Sequence, residues 1–200
     1  MAILQDLFTA IIAAFWGISK TNANTTVLQN AGQLEIVNTD GTGGIDGVVT
    51  SAPYDLTALA LVNFIPVRLD GRVELWVTPH DIQNIDPTTV DNYMRLYISG
   101  GDVRIAIRIA GGTVDDTYSG SHTAGQVLEM NFPTTGDDVR IKINTIERDQ
   151  IATFPFSRNC YIGLLAYTDT IGQEVHIDTF NMTYQAAASA SALLLLTNNA

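Results

Sequence analysis

The chain has 200 residues, 46% of them hydrophobic, and a formal net charge of −11 from 21 acidic against 10 basic residues. That length suits a single domain with a sizeable core, and the acidic balance repels phosphate backbones, which argues against nucleic acid as a partner. The only cysteine, Cys160, excludes an intrachain disulfide.

Residues 3–16 fit two patterns. Leu4, Leu7, Phe8, Ile11, Ile12, Phe15 and Trp16 make a helical stripe, while Ile3 to Phe8 equally suits an opening strand. The segment lacks a basic start and carries Asp6, so it does not read as a signal peptide. It is also shorter than the roughly 20 apolar residues that a membrane span requires. A polar loop at 22–26 leads to a short strand around Val27-Leu28, and Gln33 to Val37 alternates clearly as the next strand. Asn38 to Gly44 is turn-rich, because Asp-Gly and Gly-Gly supply positive φ. Ile45 to Ser51 makes a weak strand, and Tyr54 to Ile65 a strong one ended by Pro66, whose missing N–H removes a ladder bond.

The clearest alternation lies between Arg72 and Ala110. Val73, Leu75 and Val77 share one face of a strand, with Arg72, Glu74 and Trp76 opposite. After a long loop from Thr78 to Asn92, Met94, Leu96 and Ile98 face inward and Tyr93, Arg95 and Tyr97 outward. The turn Gly100-Gly101-Asp102 then signals a hairpin into Val103 to Ile109, whose even positions include Arg104 and Arg108. A loop is expected from Gly111 to Gly125, a strand from Val127 to Phe132, a turn from Pro133 to Asp137 and a strand from Val139 to Asn144. Ile146 to Phe154 suits its hairpin partner, and Tyr161 to Tyr167, apolar on both faces, suits a central strand. Glu174 to Tyr184 closes the series. Ten or more short strands without a clear internal helix or repeat predict two packed antiparallel sheets over residues 1–185. Residues 186–200 form an apolar tail, in which Leu193, Leu194, Leu195 and Leu196 either dock on a neighbouring subunit or add to their own domain.

The order of parts resembles the laminin-G-like, concanavalin-like jelly-roll superfamily. The residues that carry the likeness are Asp6-Leu7-Phe8, Phe15-Trp16, Gly32-Gln33-Leu34, Tyr54-Asp55-Leu56-Thr57, Tyr93-Met94-Arg95-Leu96 before a glycine hairpin, and Ile177 to Met182. The resemblance implies an all-β sandwich whose first and last strands pair, bringing Asp6 and Asp178 into neighbouring strands. Domains of this look, poor in cysteine and rich in Thr, Asn and Asp, are common among bacteriophage virion proteins. The resemblance therefore implies a non-enzymatic virion structural protein, a head-decoration or tail component made in a host cytoplasm. Its partners would be copies of itself and other virion proteins, with no membrane or nucleic acid involved. The alternative is a carbohydrate-binding module that meets a cell-surface glycan. A glycanase ranks third.

The candidate recognition surface is the polar face of the strands, which gathers Arg72, Trp76, Tyr93, Arg95, Tyr97, Arg104, Arg108, Arg140 and Lys142. Arg and aromatic residues favour both glycan stacking and protein interfaces. The competing reading pairs these charges across strands with Glu74, Glu129 or Glu147 over a solvated sheet. Glycoside hydrolysis needs two carboxyl groups, and Glu74 has no acidic neighbour at 72 or 76. Glu174, His176 and Asp178 alternate on the last strand, where a solvated face is the plainer explanation. No cofactor motif is present. Asp40, Asp46, Asp115, Asp116, Asp137 and Asp138, in Gly/Thr loops, leave calcium as a candidate ion, since its ligands are carboxylate and carbonyl oxygens.

Overall fold

The structure, a computed structural model, describes residues 2–6, 15–19, 21–22, 24–112, 115–132, 138–151 and 154–184. In chain order the strands are β1 (Ala2–Asp6), β2 (Trp16–Ser19), β3 (Thr25–Asn30), β4 (Gln33–Asn38), β5 (Gly44–Thr50), β6 (Tyr54–Asp55), β7 (Leu59–Leu69) and β8 (Arg72–Thr78). There follow β9 (Tyr93–Ser99), β10 (Asp102–Arg108), β11 (Asp115–Ser121), β12 (Leu128–Asn131), β13 (Val139–Ile143), β14 (Ile146–Ile151), β15 (Asn159–Thr168) and β16 (Glu174–Tyr184). They form two antiparallel sheets. One runs β14-β13-β12-β7-β16-β4-β3, with β1 added beside β16; the other runs β11-β10-β9-β8-β15-β5-β2, with β6 beside β15. This is the all-β, two-sheet jelly-roll sandwich of the concanavalin-like kind that the alternation and the resemblance predict. The first and last strands pair as expected, with Asp6 opposite Phe180.

The period of two explains why these segments form strands and which face each buries. Val73, Leu75 and Val77 of β8, Met94, Leu96 and Ile98 of β9, and Val103 and Ile105 of β10 all enter the core between the sheets. Side chains of this size contribute about 1.5–3 kcal/mol each on burial. Facing them from the other sheet are Phe64, Met130, Ile141, Ile177, Phe180 and Met182. The hairpins are closed by residues that take positive φ: Ala31 and Gly32 join β3 to β4, and Gly100 and Gly101 join β9 to β10. Two successive positive φ values give the mirror-image turn whose twist matches paired strands.

Four expectations are corrected. The predicted 54–65 strand is two pieces, a short β6 and then β7, separated by the turn at 56–58. Strand β7 also runs through Pro66 to Leu69. Its partner β16 shifts register between His176 and Thr179, where Pro66 lies opposite Ile177, so the missing N–H falls at an irregularity and ends nothing. The loop expected over 111–125 contains β11, which extends the sheet beyond β10. In the long 78–92 loop a short 3₁₀ turn forms at Pro87–Thr89, capped by Asp86, whose carboxylate accepts from the Thr88 N–H. The Leu193–Leu196 docking segment and Asp137 lie outside the described residues. Among the described residues no helix is long and apolar enough to cross a membrane.

Cys160 lies on β15, fully buried, its Sγ 3.0 Å from the Ser157 carbonyl. Burial pushes the thiol up to about 12, against a smaller opposing effect from Arg158. Alkylation at pH 8 should therefore be negligible in native protein and rapid after unfolding. Fast labelling of folded protein would show that β15 is exposed there.

Candidate functional site

The second sheet is covered on its inner face and over part of its outer face. Its inner face meets the core. On its outer face Ile45, Val49, Trp76, Tyr93 and Leu165 form a separate cluster with Ile82 and Val90 of the 79–92 segment. That segment folds back over the sheet as a flap. Ser19 Oγ donates to the Ile82 carbonyl at 2.8 Å, and Thr78 Oγ1 to the Asn92 carbonyl at 2.7 Å. Arg108 reaches the Thr88 carbonyl at 2.6 Å and the Gly111 carbonyl at 3.2 Å. Gly17 on β2 lies against the Gln83 side chain of the flap.

Under the flap edge sits a buried ionic cluster centred on Glu74, which is wholly inaccessible to solvent. Trp76 Nε1 donates to its Oε2 at 2.6 Å and Arg95 lies 3.2 Å from the same oxygen. Arg72 Nε bonds the other oxygen. Strand register makes this convergence: Glu74 is opposite Tyr97 on β9 and Leu165 on β15, Trp76 is opposite Arg95, and Arg72 is opposite Tyr167. The guanidiniums also lie against rings, Arg95 at 4.9 Å from the Tyr97 centroid and Arg72 at 5.0 Å from that of Tyr167. Such contacts suit Arg, whose planar cation is weakly hydrated. Two cations on one carboxylate leave a formal surplus of one positive charge.

Beside this cluster, at the end of the sheet, opens a cleft of about 500 Å³ lined by Thr21, Gly43, Gly44, Ile45, Arg72, Asp86, Thr88 and Tyr167. Its size falls in the range of small-ligand pockets. The β4–β5 loop forms one wall, and Gly44 is required there because a Cβ would lie 2.8 Å from Asn22 Cβ and 2.9 Å from the Asp46 carboxylate. Asp86 and Thr88 bring the flap into the lining. Asp86 Oδ1 is taken by the Thr88 N–H and hydroxyl at 2.9 and 2.7 Å.

The strand parity predicted for the recognition surface holds: Arg72, Trp76, Tyr93, Arg95, Tyr97, Arg104 and Arg108 share the outer face of β8 to β10, and Arg140 and Lys142 face outward on β13. The predicted exposure does not. Trp76 is 0%, Tyr93 2% and Tyr97 6% exposed, because the flap and the neighbouring rings cover them. Arg104 is near Asp102 on β10, and Arg108 is spent holding the flap. Arg140 and Lys142 belong to β13 in the opposite sheet, where they pair with Glu147 at 3.6 Å and Glu129 at 3.0 Å. The nine residues therefore do not make one surface, and cross-strand pairing accounts for Arg140 and Lys142. Asp86, Thr88, Thr21, Gly43, Gly44, Ile45 and Tyr167 were not singled out by the sequence as site residues.

The other candidates resolve simply. On β16, His176 contacts Glu174 at 3.0 Å and Gln33 at 3.2 Å, and Arg68 also pairs with Glu174. The register shift at 177–179 separates Asp178 from that group, and its carboxylate accepts instead from Thr179 Oγ1 at 3.4 Å. Asp40 accepts from the Asn24 side chain, the Thr42 N–H and the Asn22 side chain, and these hydrogen bonds hold its carboxyl far below the usual range. Asp46 Oδ1 accepts from the Asn22 N–H at 3.0 Å, while its buried Oδ2 has no partner among the described residues. Among the described residues no three His, Cys, Asp or Glu side chains converge as a metal site.

No protein-family model matches the chain, and no curated protein matches it as a relative. Solved structures do share its fold. A Bacillus licheniformis β-glucanase matches with a TM-score of 0.61 and 9% identity over 92% of this chain and 99% of its own. An endo-acting O-glycanase of the human gut microbiota, described as initiating mucin breakdown, matches at 0.65 and 12% identity over 90% and 98%. The carbohydrate recognition domain of Emp46p, in a potassium-bound form, matches at 0.65 and 11% identity over 88% and 94%. These matches correct the expectation of a virion structural protein with other virion proteins as partners, because the structures named are glycanases and a carbohydrate recognition domain. They equally remove the ground for expecting a protein without enzymatic activity, since glycoside hydrolases share this fold.

Proposed function

We propose that this chain is a carbohydrate-binding domain whose ligand enters the cleft between the β4–β5 loop and the flap. The carrying observation is the composition of that cleft on this fold. It offers an Arg72 cation, an Asp86 carboxylate, the Thr21 and Thr88 residues and the Tyr167 ring within one concavity. Sugars present alternating hydroxyls and C–H faces, and a site that mixes donors, acceptors and an aromatic ring satisfies both. β-Glucans and mucin glycans, the substrates associated with the structurally similar enzymes, are the first ligands to test. The protein should be retained on insoluble β-glucan or immobilised mucin, and Tyr167→Ala should reduce retention. No retention on either matrix overturns the reading.

A catalytic reading is favoured by Asp86, a carboxylate lining the cleft. Hydrolysis requires a pair of carboxyl groups flanking the scissile bond, and Glu74 is committed to Arg72, Arg95 and Trp76. Measuring new reducing ends after incubation with soluble β-glucan tests it. Release abolished by Asp86→Asn would make Asp86 one member of that pair.

A further inference from the structure

The geometry points to recognition of the end of a neutral glycan chain rather than its interior, an inference that rests on the carbohydrate reading above. A polysaccharide that binds across the outer face of the second sheet needs that face uncovered. Here the middle of that face is covered. Trp76 and Leu165, fully buried, lie beneath Ile82, also fully buried, and Val90. The flap that supplies those two residues is anchored along its length by the Ser19, Thr78 and Arg108 hydrogen bonds to its backbone. At the sheet end, beside the covered residues, the cleft opens to solvent, and the flap residues Asp86 and Thr88 contribute to its lining. A chain lying across β5, β15 and β8 would run into the flap, whereas a chain terminus can reach the cleft without crossing it.

The polar groups in the cleft suit hydroxyls. Arg72 spends Nε on Glu74, and its terminal nitrogens have no hydrogen-bond partner among the described residues. Asp86 Oδ2 likewise receives no hydrogen bond from a described residue, both internal bonds falling on Oδ1. The cleft therefore presents donors and an acceptor whose charges offset each other. A neutral ring with adjacent hydroxyls satisfies both groups. A polyanion would face Asp86 and a chain of formal charge −11.

The test is titration calorimetry with β-1,3- and mixed β-1,3/β-1,4-gluco-oligosaccharides from dimer to hexamer. End recognition predicts an affinity that stops rising after the shortest ligand that binds. It also predicts a loss of roughly tenfold or more when the recognised terminus is blocked by a bulky substituent. Asp86→Asn keeps the cap on the 3₁₀ turn and should weaken binding roughly tenfold without moving the melt. Affinity that climbs with every added unit, binding that survives blocking of both ends, or an unchanged Asp86→Asn titration each overturns end recognition while leaving carbohydrate binding intact. Absence of heat with every oligosaccharide, together with no retention on β-glucan or mucin, overturns the carbohydrate reading itself.

Discussion

Trp76→Ala should destabilise the protein by about 3–5 kcal/mol, the range for removing a large buried aromatic side chain. Trp76 looks outward by strand parity, yet it is fully buried between the sheet and the flap. Its indole packs against Tyr93 at a centroid distance of 4.5 Å and donates to Glu74. The substitution leaves a cavity under the flap and withdraws one of the donors that Glu74 needs. For a chain of this length the melting temperature should fall on the order of 10 °C. The contrasting change is Tyr118→Ala, at a residue 53% exposed, which should stay within about 0.5 kcal/mol of wild type. Urea unfolding of both variants gives the comparison. A Trp76→Ala melt equal to that of Tyr118→Ala would mean that the flap does not cover the face.

Glu74→Gln should cost about 3–5 kcal/mol, because removing one partner of a buried ionic cluster leaves the remaining charges uncompensated. The side chain keeps its shape, so packing hardly changes. What changes is that Arg72 and Arg95 face a neutral amide, with Arg95 only 12% exposed. Arg72, at 25% exposed, recovers part of its hydration, which places the cost toward the lower end of that range. Replacing all three charged residues with apolar ones of similar volume should restore part of the loss, since the ionic desolvation penalty disappears while Trp76 Nε1 is left without its acceptor at a cost of about 1–3 kcal/mol. Both effects should be nearly independent of salt up to about 1 M, because buried pairs are screened little. A Glu74→Gln protein as stable as wild type would show that water reaches the cluster. The variant also bears on function: Glu74 holds Arg72 by Nε, so losing the carboxylate should loosen the donor at the cleft and weaken glycan retention in step with stability.

Much of the fold is legible in the sequence, and its failures have specific causes. Alternation at 73–77, 94–98 and 103–107 reports correctly which side chains share a face, since side-chain direction in a strand is a local property. Tyr161 to Tyr167, apolar on both faces, correctly marks the strand between β8 and β5. Pro66 misleads because its tolerance depends on a register shift in β16, more than 100 residues away in sequence. Strand β11 is missed because Asp115 to Ser121 is polar and small, which reads as loop unless a neighbouring strand supplies the pairing. The cleft is missed for a related reason. Thr21, Gly43, Asp86 and Tyr167 lie on separate segments, and no local pattern signals that they meet.

The sequence by itself determined the class of fold and the side of each strand, because both follow from a two-residue period repeated along the chain. It did not determine whether the aromatic and basic side of β8 and β9 meets water. That was decided by the tertiary structure, which lays residues 79–92 back across the sheet. The flap turns the middle of an apparent exposed platform into a second buried layer with a cleft at its edge, while the strand order places Arg140 and Lys142 on the opposite sheet with partners of their own. Burial is a property of what packs above a residue, and that partner is set by non-local contacts which no periodicity encodes.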